Sequence, residues 1–214
     1  MSLINSGIEA VLFDLDGTLL DTQEGILASA RHVIDIMHLP ELPTDILLKF
    51  VGPPIQYSLQ KYCGLNEEQA QQGANLFRSY YKSKALYLAT VYDGIFDLLK
   101  SLKGKGIKIG VATYKREDYA IDLLRNSGIA CYCDVIHGAD NENQLTKVDI
   151  VDMCINEMGC DRSATILVGD TDHDAIGAEK AGIGFVAVTW GFGYTDESQL
   201  DYPYIKIIHT ANEF

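Results

Sequence analysis

Hydrophobic runs of strand length alternate with helical patterns over most of this chain. The helical patterns at 116–127, 147–158 and 172–181 are each followed by a glycine, which ends a helix readily because it adopts the left-handed conformation without a Cβ penalty. Strands that alternate with helices form a parallel sheet covered on both faces. The pattern therefore predicts an α/β fold with a Rossmann-like parallel sheet, whose strands we expect at 8–14, 107–113, 133–137, 164–170 and 184–189.

Residues 23–85 interrupt this alternation with consecutive helical patterns. Pro40, Pro43 and the triplet 52–54 (Gly-Pro-Pro) separate these patterns, as prolines do at helix ends. The sequence predicts an all-helical cap domain at 19–85, inserted after the first strand, and a catalytic core made of 1–18 and 86–214. In the alternative, these helices only cover the sheet, although covering helices are usually spread along a chain.

The charge of the chain limits its partners. A formal net charge of −13 argues against nucleic acid or an anionic membrane as a partner, because phosphate contacts need clustered Lys and Arg. No apolar run is long enough to span a bilayer, and the first ten residues lack the pattern of a signal peptide, so we expect a cytoplasmic protein. The five cysteines form no zinc-binding pairs and are expected to be reduced thiols.

Polar side chains gather where the predicted strands end. The stretch VLFDLDGTLLDT ends a hydrophobic strand on Asp14 and Asp16, and the strands at 107–113 and 164–170 end on Thr113 and Asp170. Lys147 opens the helix that follows the strand at 133–137. Ligands of open parallel sheets bind beyond the carboxyl ends of the strands, and buried acids are costly unless they are paired or bound to a metal. These residues therefore predict one site.

The acids of this set suit phosphoryl transfer. Asp14 and Asp170 offer the hard oxygen ligands that Mg²⁺ prefers. An oxygen of Asp14 would attack phosphorus and form an aspartyl-phosphate. Asp16, two residues further on, would protonate the leaving oxygen and later take a proton from the attacking water.

The remaining polar groups suit binding of the phosphoryl group. Thr113 and backbone N–H groups near it, such as that of Tyr114, would hold the phosphoryl oxygens, while Lys147 would offset their negative charge. Taken singly, each residue also has a structural interpretation, since helix caps, first-turn acids and solvated lysines are common. Their combination favours a site.

The motifs in which these residues stand resemble those of the haloacid dehalogenase superfamily. DLDGTLLDT is similar to its first motif, VATYK to its second with Thr113 as the hydroxyl, Lys147 to its third, and VGDTDHDAIGAEKAGI to its fourth. FVGPPIQYSL and VTWGFG further resemble the phosphoglycolate phosphatase-like group with a helical cap. One departure is Val148, where many members of the superfamily have proline.

The resemblance implies a role for each matched residue. Asp14 would be the nucleophile and a metal ligand, and Asp16 the acid/base with its backbone carbonyl on Mg²⁺. Thr113 and Lys147 would bind the transferring phosphoryl group. Asp170 would ligate the metal, and Asp174 would support the metal site.

These observations lead to a hypothesis of function. The chain is expected to be a Mg²⁺-dependent phosphatase of a small phosphorylated metabolite, such as phosphoglycolate, a sugar phosphate, a nucleotide or pyrophosphate, and to be a monomer or homodimer. Two alternatives stay open: a sugar phosphomutase of the same fold, and a non-catalytic phosphate-sensing or signalling domain. Asp16 argues against a dehalogenase, since a halide leaves without protonation.

Overall fold

The computed structural model describes residues 7–141 and 144–214. Residues 1–6, on which most of the signal-peptide interpretation depends, lie outside these ranges. The chain divides into two compact units, one that ends at Asp21 and resumes over Val91–Phe214, and one formed by Thr22–Thr90. The role of the second unit as a cap stays a prediction.

A parallel sheet forms the centre of the first unit. Its six strands lie in the order β5-β4-β1-β6-β7-β8, and each adjacent pair is parallel. A separate two-stranded sheet consists of β2 and β3. The predicted α/β fold with a parallel sheet is therefore confirmed. In chain order the strands are β1 (Ala10–Phe13), β2 (Leu20–Asp21), β3 (Thr90–Val91), β4 (Lys108–Arg116), β5 (Val135–Ala139), β6 (Thr165–Gly169), β7 (Gly184–Val188) and β8 (Lys206–Ile208).

The register of the central strands sets the position of the polar residues. Phe13 at the end of β1 pairs with Val111 of β4 on one side and with Val168 of β6 on the other. Because all three strands run in the same direction, the residues that follow these pairs emerge at one edge of the sheet. Asp14, Thr113 and Asp170 therefore share that edge.

Helices cover both faces of this sheet, as a parallel sheet requires. They are α5 (Ile95–Gly104), α6 (Glu117–Asn126), α7 (Lys147–Met158) and α8 (Asp172–Ala181). The helices α7 and α8 both end at a left-handed glycine, Gly159 and Gly182, as the sequence predicts. Apolar side chains of these two helices, among them Ile150, Cys154 and Ala178, are fully buried and share a cluster with Leu12 of β1.

The second unit is helical up to Thr90, its last residue, which begins β3. It contains α1 (Gln23–Ile36), α2 (Thr44–Leu47), α3 (Ile55–Cys63) and α4 (Glu67–Tyr80), with a 3-10 turn at Leu48–Phe50 and a π-helical turn at Tyr81–Ala85. Val33, Leu59 and Ala74 are fully buried in it. A Cβ on Gly73 of α4 would lie only 2.7 Å from Cδ1 of Leu59, so glycine lets α3 and α4 approach closely.

Three short strands were not predicted. β2 and β3 have two residues each and β8 has three, which is too short for an alternating pattern to stand out from the sequence. Over the described ranges, no helix has the length and apolar character needed to cross a membrane.

Candidate active site

A buried lysine lies between two carboxylates at the edge of the sheet where β1 ends. Nζ of Lys147 is 2.6 Å from Oδ1 of Asp14 and 2.6 Å from Oδ1 of Asp174. The three residues are at most 7% exposed, so the charges interact with little screening by water. Gly177 of α8 makes room for the lysine, because a Cβ there would lie 2.6 Å from Cγ of Lys147.

Local structure fixes both partners of this ion pair. The N–H of Asp14 donates to the carbonyl of Val168 at 2.9 Å, which extends the pairing of β1 with β6. Lys147 is the first residue of α7, whose N-terminus is closed by a capping box of Thr146 and Asp149. The N–H of Lys147 donates to the hydroxyl of Tyr114 at 3.0 Å. The capping box and the hydroxyl of Tyr114 therefore both fix the start of α7, and with it the position of Lys147.

Asp170 follows β6 and is fully buried. Its Oδ2 accepts hydrogen bonds from the backbone N–H groups of Phe192, at 2.8 Å, and Gly193, at 3.2 Å. Oγ1 of Thr18 lies 3.4 Å from Oδ1, and the backbone carbonyl of Asp170 accepts from the N–H of Tyr194 at 2.9 Å. The protein thus engages one carboxylate oxygen of Asp170 much more strongly than the other.

Asp174 lies in the first turn of α8. Its Oδ2 accepts from the backbone N–H of Thr171 at 3.1 Å and from the hydroxyl of Thr171 at 2.7 Å, while Oδ1 pairs with Lys147. Both of its oxygens therefore already have protein partners.

The electrostatics of the cluster are dominated by burial and by excess negative charge. Burial raises the pKa of Asp14 to about 7 against the opposing effect of Lys147, and repulsion from Asp174 and Asp16 adds to the increase. Burial, with repulsion from Asp174 and Asp14, also raises the pKa of Asp170 well above its ordinary value. Burial lowers the pKa of Lys147, but its attraction to Asp14 and Asp174 prevails and raises it. Lys147 is therefore charged. The cluster of acids has too little positive charge nearby to balance its own negative charge.

The donor set fits a divalent cation. One oxygen from each of Asp14, Asp170 and Asp174 lies within 4.8 Å of the other two, and all three residues are buried. A single lysine offsets only part of the charge of three carboxylates. Hard oxygen ligands and residual negative charge are the properties that a Mg²⁺ site requires. An acidic group able to hold a metal ion is therefore present where the sequence predicts one.

Asp16 has a different partner. Nζ of Lys115 lies 2.9 Å from its Oδ1 and 3.0 Å from its Oδ2, and both side chains are less than 10% exposed. The N–H of Lys115 donates to Oγ1 of Thr113 at 3.1 Å. Lys115 therefore joins the end of β4 to the turn after β1, where Gly17 has the left-handed φ of +84° that a tight turn needs.

The predicted site residues thus fall into two linked sets. Asp14, Lys147, Asp170 and Asp174 form one group of neighbouring charges, while Asp16 and Thr113 share Lys115 at the same edge of the sheet. The aromatic ring of Tyr114 lies beside Lys147, with Nζ 5.9 Å from the ring centroid.

Sequence reasoning gave no role to several residues that contact this site. Lys115 stands in VATYK, and its contact with Asp16 joins residues 99 positions apart in the chain. The segment 190–194 stands in VTWGFGY, and its contacts with Asp170 join residues 22 and 23 positions apart. The two closely spaced glycines, at 191 and 193, were the one feature of the sequence that could have indicated a close contact of the segment 190–194.

The chain is similar to known proteins over most of its length. The family model described as "Haloacid dehalogenase-like hydrolase" matches residues 11–188. The tyrosine-protein kinase PtkA of Mycobacterium tuberculosis is 35% identical over 189 residues, which are 88% of this chain and 64% of that protein. The chain therefore spans less than two thirds of the length of this relative.

Other relatives are matched over most of both chains. Pyrophosphatase PpaX of Bacillus velezensis is 32% identical over 86% of this chain and 84% of its own length. The crystal structure of a predicted phosphatase from Clostridium acetobutylicum superimposes with a TM-score of 0.87 at 34% identity, over 94% of each chain. Three structures of proteins described as predicted or candidate phosphoglycolate phosphatases share the fold at 17% to 20% identity, which supports the fold alone.

Proposed function

The chain belongs to the haloacid dehalogenase-like hydrolases, as its motifs predict, and we propose that it is a Mg²⁺-dependent phosphatase acting through an aspartyl-phosphate. The observation that carries this proposal is the buried Asp14 carboxylate with Lys147 at 2.6 Å and Asp170 beside it. The names of relatives matched over most of their length, a pyrophosphatase and a predicted phosphatase, support the same enzyme class.

Asp14 would be the nucleophile. One of its carboxylate oxygens attacks phosphorus while the bond from phosphorus to the leaving oxygen breaks, which yields an aspartyl-phosphate and an alcohol. Asp14 follows a strand paired on both sides, so its position is fixed before the substrate arrives. Lys147 keeps the attacking carboxylate and the phosphoryl oxygens from repelling each other.

Asp16 would move the proton. It donates a proton to the leaving oxygen in the first step and takes one from the attacking water in the second, when the bond between phosphorus and Asp14 breaks and phosphate is released. Its ion pair with Lys115 holds the carboxylate in place between these steps. Because the same group gives and regains one proton, the cycle ends with the enzyme in its starting form.

Thr113 would hold the phosphoryl group from the second half of β4. The residue is buried, and the backbone N–H of Tyr114 is our candidate for a second donor. The phenol of Tyr114 accepts a hydrogen bond from the N–H of Lys147, so this side chain contributes to the position of α7.

Asp14 and Asp170, with the backbone carbonyl of Asp16, would hold Mg²⁺, and Asp174 would support them. A bound Mg²⁺ supplies positive charge that stabilises the phosphoryl oxygens in the transition state. The support for this assignment is the approach of three buried carboxylate oxygens within 4.8 Å.

The substrate would be a small phosphorylated metabolite. The name of PpaX makes pyrophosphate one candidate, while phosphoglycolate, sugar phosphates and nucleoside monophosphates are the others. A panel of these compounds assayed with the purified protein should show one class with a distinctly higher kcat/KM. A flat profile would contradict a single dedicated substrate.

The proposal is tested by turnover of para-nitrophenyl phosphate with and without Mg²⁺. We expect metal-dependent turnover in the wild type and a loss of at least about a thousandfold in Asp14→Asn, because the amide oxygen is a poor nucleophile. Acid-quenched enzyme should carry covalent phosphate in the wild type and none in the variant.

Two results would overturn parts of this proposal. Metal-dependent turnover that persists in Asp14→Asn would rule out this nucleophile. Absence of turnover with every phosphoester would favour the phosphate-sensing alternative, while conversion of one sugar phosphate into its isomer would favour the mutase.

A further inference from the structure

The segment that follows β7 contacts the candidate metal site at several points. We propose that Trp190–Tyr194, called here the 190–194 loop, is a positioning loop that orients Asp170 and thereby sets the affinity of the site for a divalent cation. The inference rests on the proposed function only in taking Asp170 as a metal ligand.

The first observation is the hydrogen bonding of Asp170. The N–H groups of Phe192 and Gly193 both point at the same carboxylate oxygen, Oδ2, at 2.8 and 3.2 Å. Two backbone donors on one oxygen fix the rotation of the carboxylate and leave Oδ1 as the oxygen for a cation. Backbone donors partly offset the charge of a buried carboxylate, and they lower the pKa of Asp170 against the larger effect of burial.

The second observation is the closeness of the loop backbone to Asp170. A Cβ on Gly191 would collide with Oδ2 of Asp170 and with the carbonyl oxygen of Gly17, and a Cβ on Gly193 would collide with the carbonyl oxygen of Asp170. Neither glycine has a positive φ, so space rather than backbone conformation requires glycine at these positions. Any larger residue would move the N–H donors away from the carboxylate.

The third observation is that both ends of the loop are fixed. The indole N–H of Trp190 donates to the carbonyl of Thr18 at 3.1 Å, and the N–H of Tyr194 donates to the carbonyl of Asp170 at 2.9 Å. The hydroxyl of Tyr194 donates to Oδ1 of Asp172 at 2.7 Å. The loop therefore joins the turn after β1, which carries Asp16, to the start of α8.

These contacts give the loop the properties of the outer partners that orient metal ligands. Removing such partners typically lowers metal affinity about 10- to 100-fold, while the ligands themselves remain. The loop should therefore affect metal binding more than binding of the phosphoryl group, which is assigned to Thr113 and Lys147.

The test compares Gly193→Ala with Gly104→Ala, a matched change at a glycine whose added Cβ would have no neighbour within 4 Å. Mg²⁺ and Mn²⁺ dissociation constants are measured by calorimetry and by Mn²⁺ spin resonance, without substrate. We expect Gly193→Ala to raise the dissociation constant about 10- to 100-fold and Gly104→Ala to leave it unchanged.

Kinetics supply a second readout. In Gly193→Ala, turnover of para-nitrophenyl phosphate should fall at low Mg²⁺ and recover at high Mg²⁺, with the KM for the phosphoester unchanged at saturating metal. Wild-type metal affinity in a folded Gly193→Ala protein would overturn the proposal, as would a loss of kcat that no Mg²⁺ concentration restores.

A milder variant tests the proposal in case Gly193→Ala does not fold. Trp190→Phe keeps an aromatic ring and removes the N–H donor to Thr18, so we expect a folded protein whose metal dissociation constant rises several-fold. If Gly193→Ala does not fold and Trp190→Phe binds metal as the wild type does, the proposal is wrong. Because metal binding is measured without turnover, failure of the phosphatase assignment would leave this result interpretable.

Discussion

At the scale of single residues, Lys147 holds together charges that would otherwise repel each other. Its ammonium lies 2.6 Å from two buried carboxylates, Asp14 and Asp174. Removal of one partner from a buried ion pair is far more costly than removal of a surface charge, because the remaining charges stay desolvated.

We therefore expect Lys147→Met to lower the free energy of unfolding by about 3–5 kcal/mol in a chelating buffer. Methionine has a similar length and no charge, so the loss reports the charge rather than a cavity. A saturating divalent cation should reduce this loss, because it would offset the same carboxylates. Urea unfolding followed by circular dichroism measures both values.

Lys100→Met is the matched control. Lys100 pairs with Asp97 at 3.8 Å on the surface, where both side chains are more than half exposed, so its loss should change stability by less than about 0.5 kcal/mol. Equal effects of the two substitutions would show that the buried contacts of Lys147 do not stabilise the fold.

The charged residues of the site were predictable from the sequence, whereas their partners were not. Asp14, Asp170 and Lys147 each follow a strand or open a helix, and a parallel sheet brings such positions to one edge. The pairing of Lys115 with Asp16 depends on side-chain directions at the ends of two strands, which no local pattern encodes.

At the scale of elements, the N-terminus of α7 places Lys147. Oγ1 of Thr146 accepts from the N–H of Asp149 at 3.3 Å, and the carboxylate of Asp149 accepts from the N–H of Thr146 at 2.8 Å. A capping box of this kind satisfies donors that the first turn of a helix leaves without partners. Val148 stands where proline is common in the superfamily, so this cap and Tyr114 together fix the helix start.

Thr146→Ala should cost about 1 kcal/mol of stability, because the cap hydroxyl is lost. It should also lower kcat for para-nitrophenyl phosphate several-fold, since the first residue of the frayed turn is Lys147. Thr146→Ser keeps the hydroxyl and should restore most of both values. Equal activities of the alanine and serine variants would show that the cap does not position the lysine.

The main helices and strands of the first unit were predictable, because each is long enough to show a period and because α7 and α8 end at a glycine. The π-helical turn at Tyr81–Ala85 lies within the stretch 23–85 that the sequence predicts as helical, but the change of helix type was not predicted. β8 was not predicted because three residues are too few to show an alternating hydrophobic pattern. Its pairing with β7 depends on contacts that no local pattern encodes.

At the scale of the whole molecule, the net negative charge of the chain and the buried acids of the candidate site both favour binding of a cation. The chain carries a formal net charge of −13, and three of its carboxylates are buried together in the candidate site with one lysine between two of them. A divalent cation that binds only the folded protein stabilises it by mass action.

Mg²⁺ at 100 times its dissociation constant should therefore stabilise the protein by about 2.7 kcal/mol and raise Tm by several degrees. Calorimetric scans in Mg²⁺ and in a chelating buffer of equal ionic strength measure the difference. Asp170→Asn should remove most of the shift. A shift of the same size with NaCl alone would indicate general charge screening instead of a site.

The α/β class was visible in the sequence, because strand and helix patterns alternate over most of the chain. The one stretch where this alternation stops was the signal for the predicted cap domain. The order of the strands could not be predicted, since it depends on which strands pair with each other over long distances in the chain. For the same reason, the role of the 190–194 loop became apparent only from its contacts.

β1 has a hydrogen-bonded neighbour on each side, β4 and β6, and the sheet has further strands beyond both of them. Its amides should be among the last in the protein to exchange with deuterated solvent, because exposing them means separating the middle of the sheet. Fraying that begins at β8 or β5 would therefore leave Asp14, the proposed nucleophile, in place, and activity should outlast the first stages of heat damage.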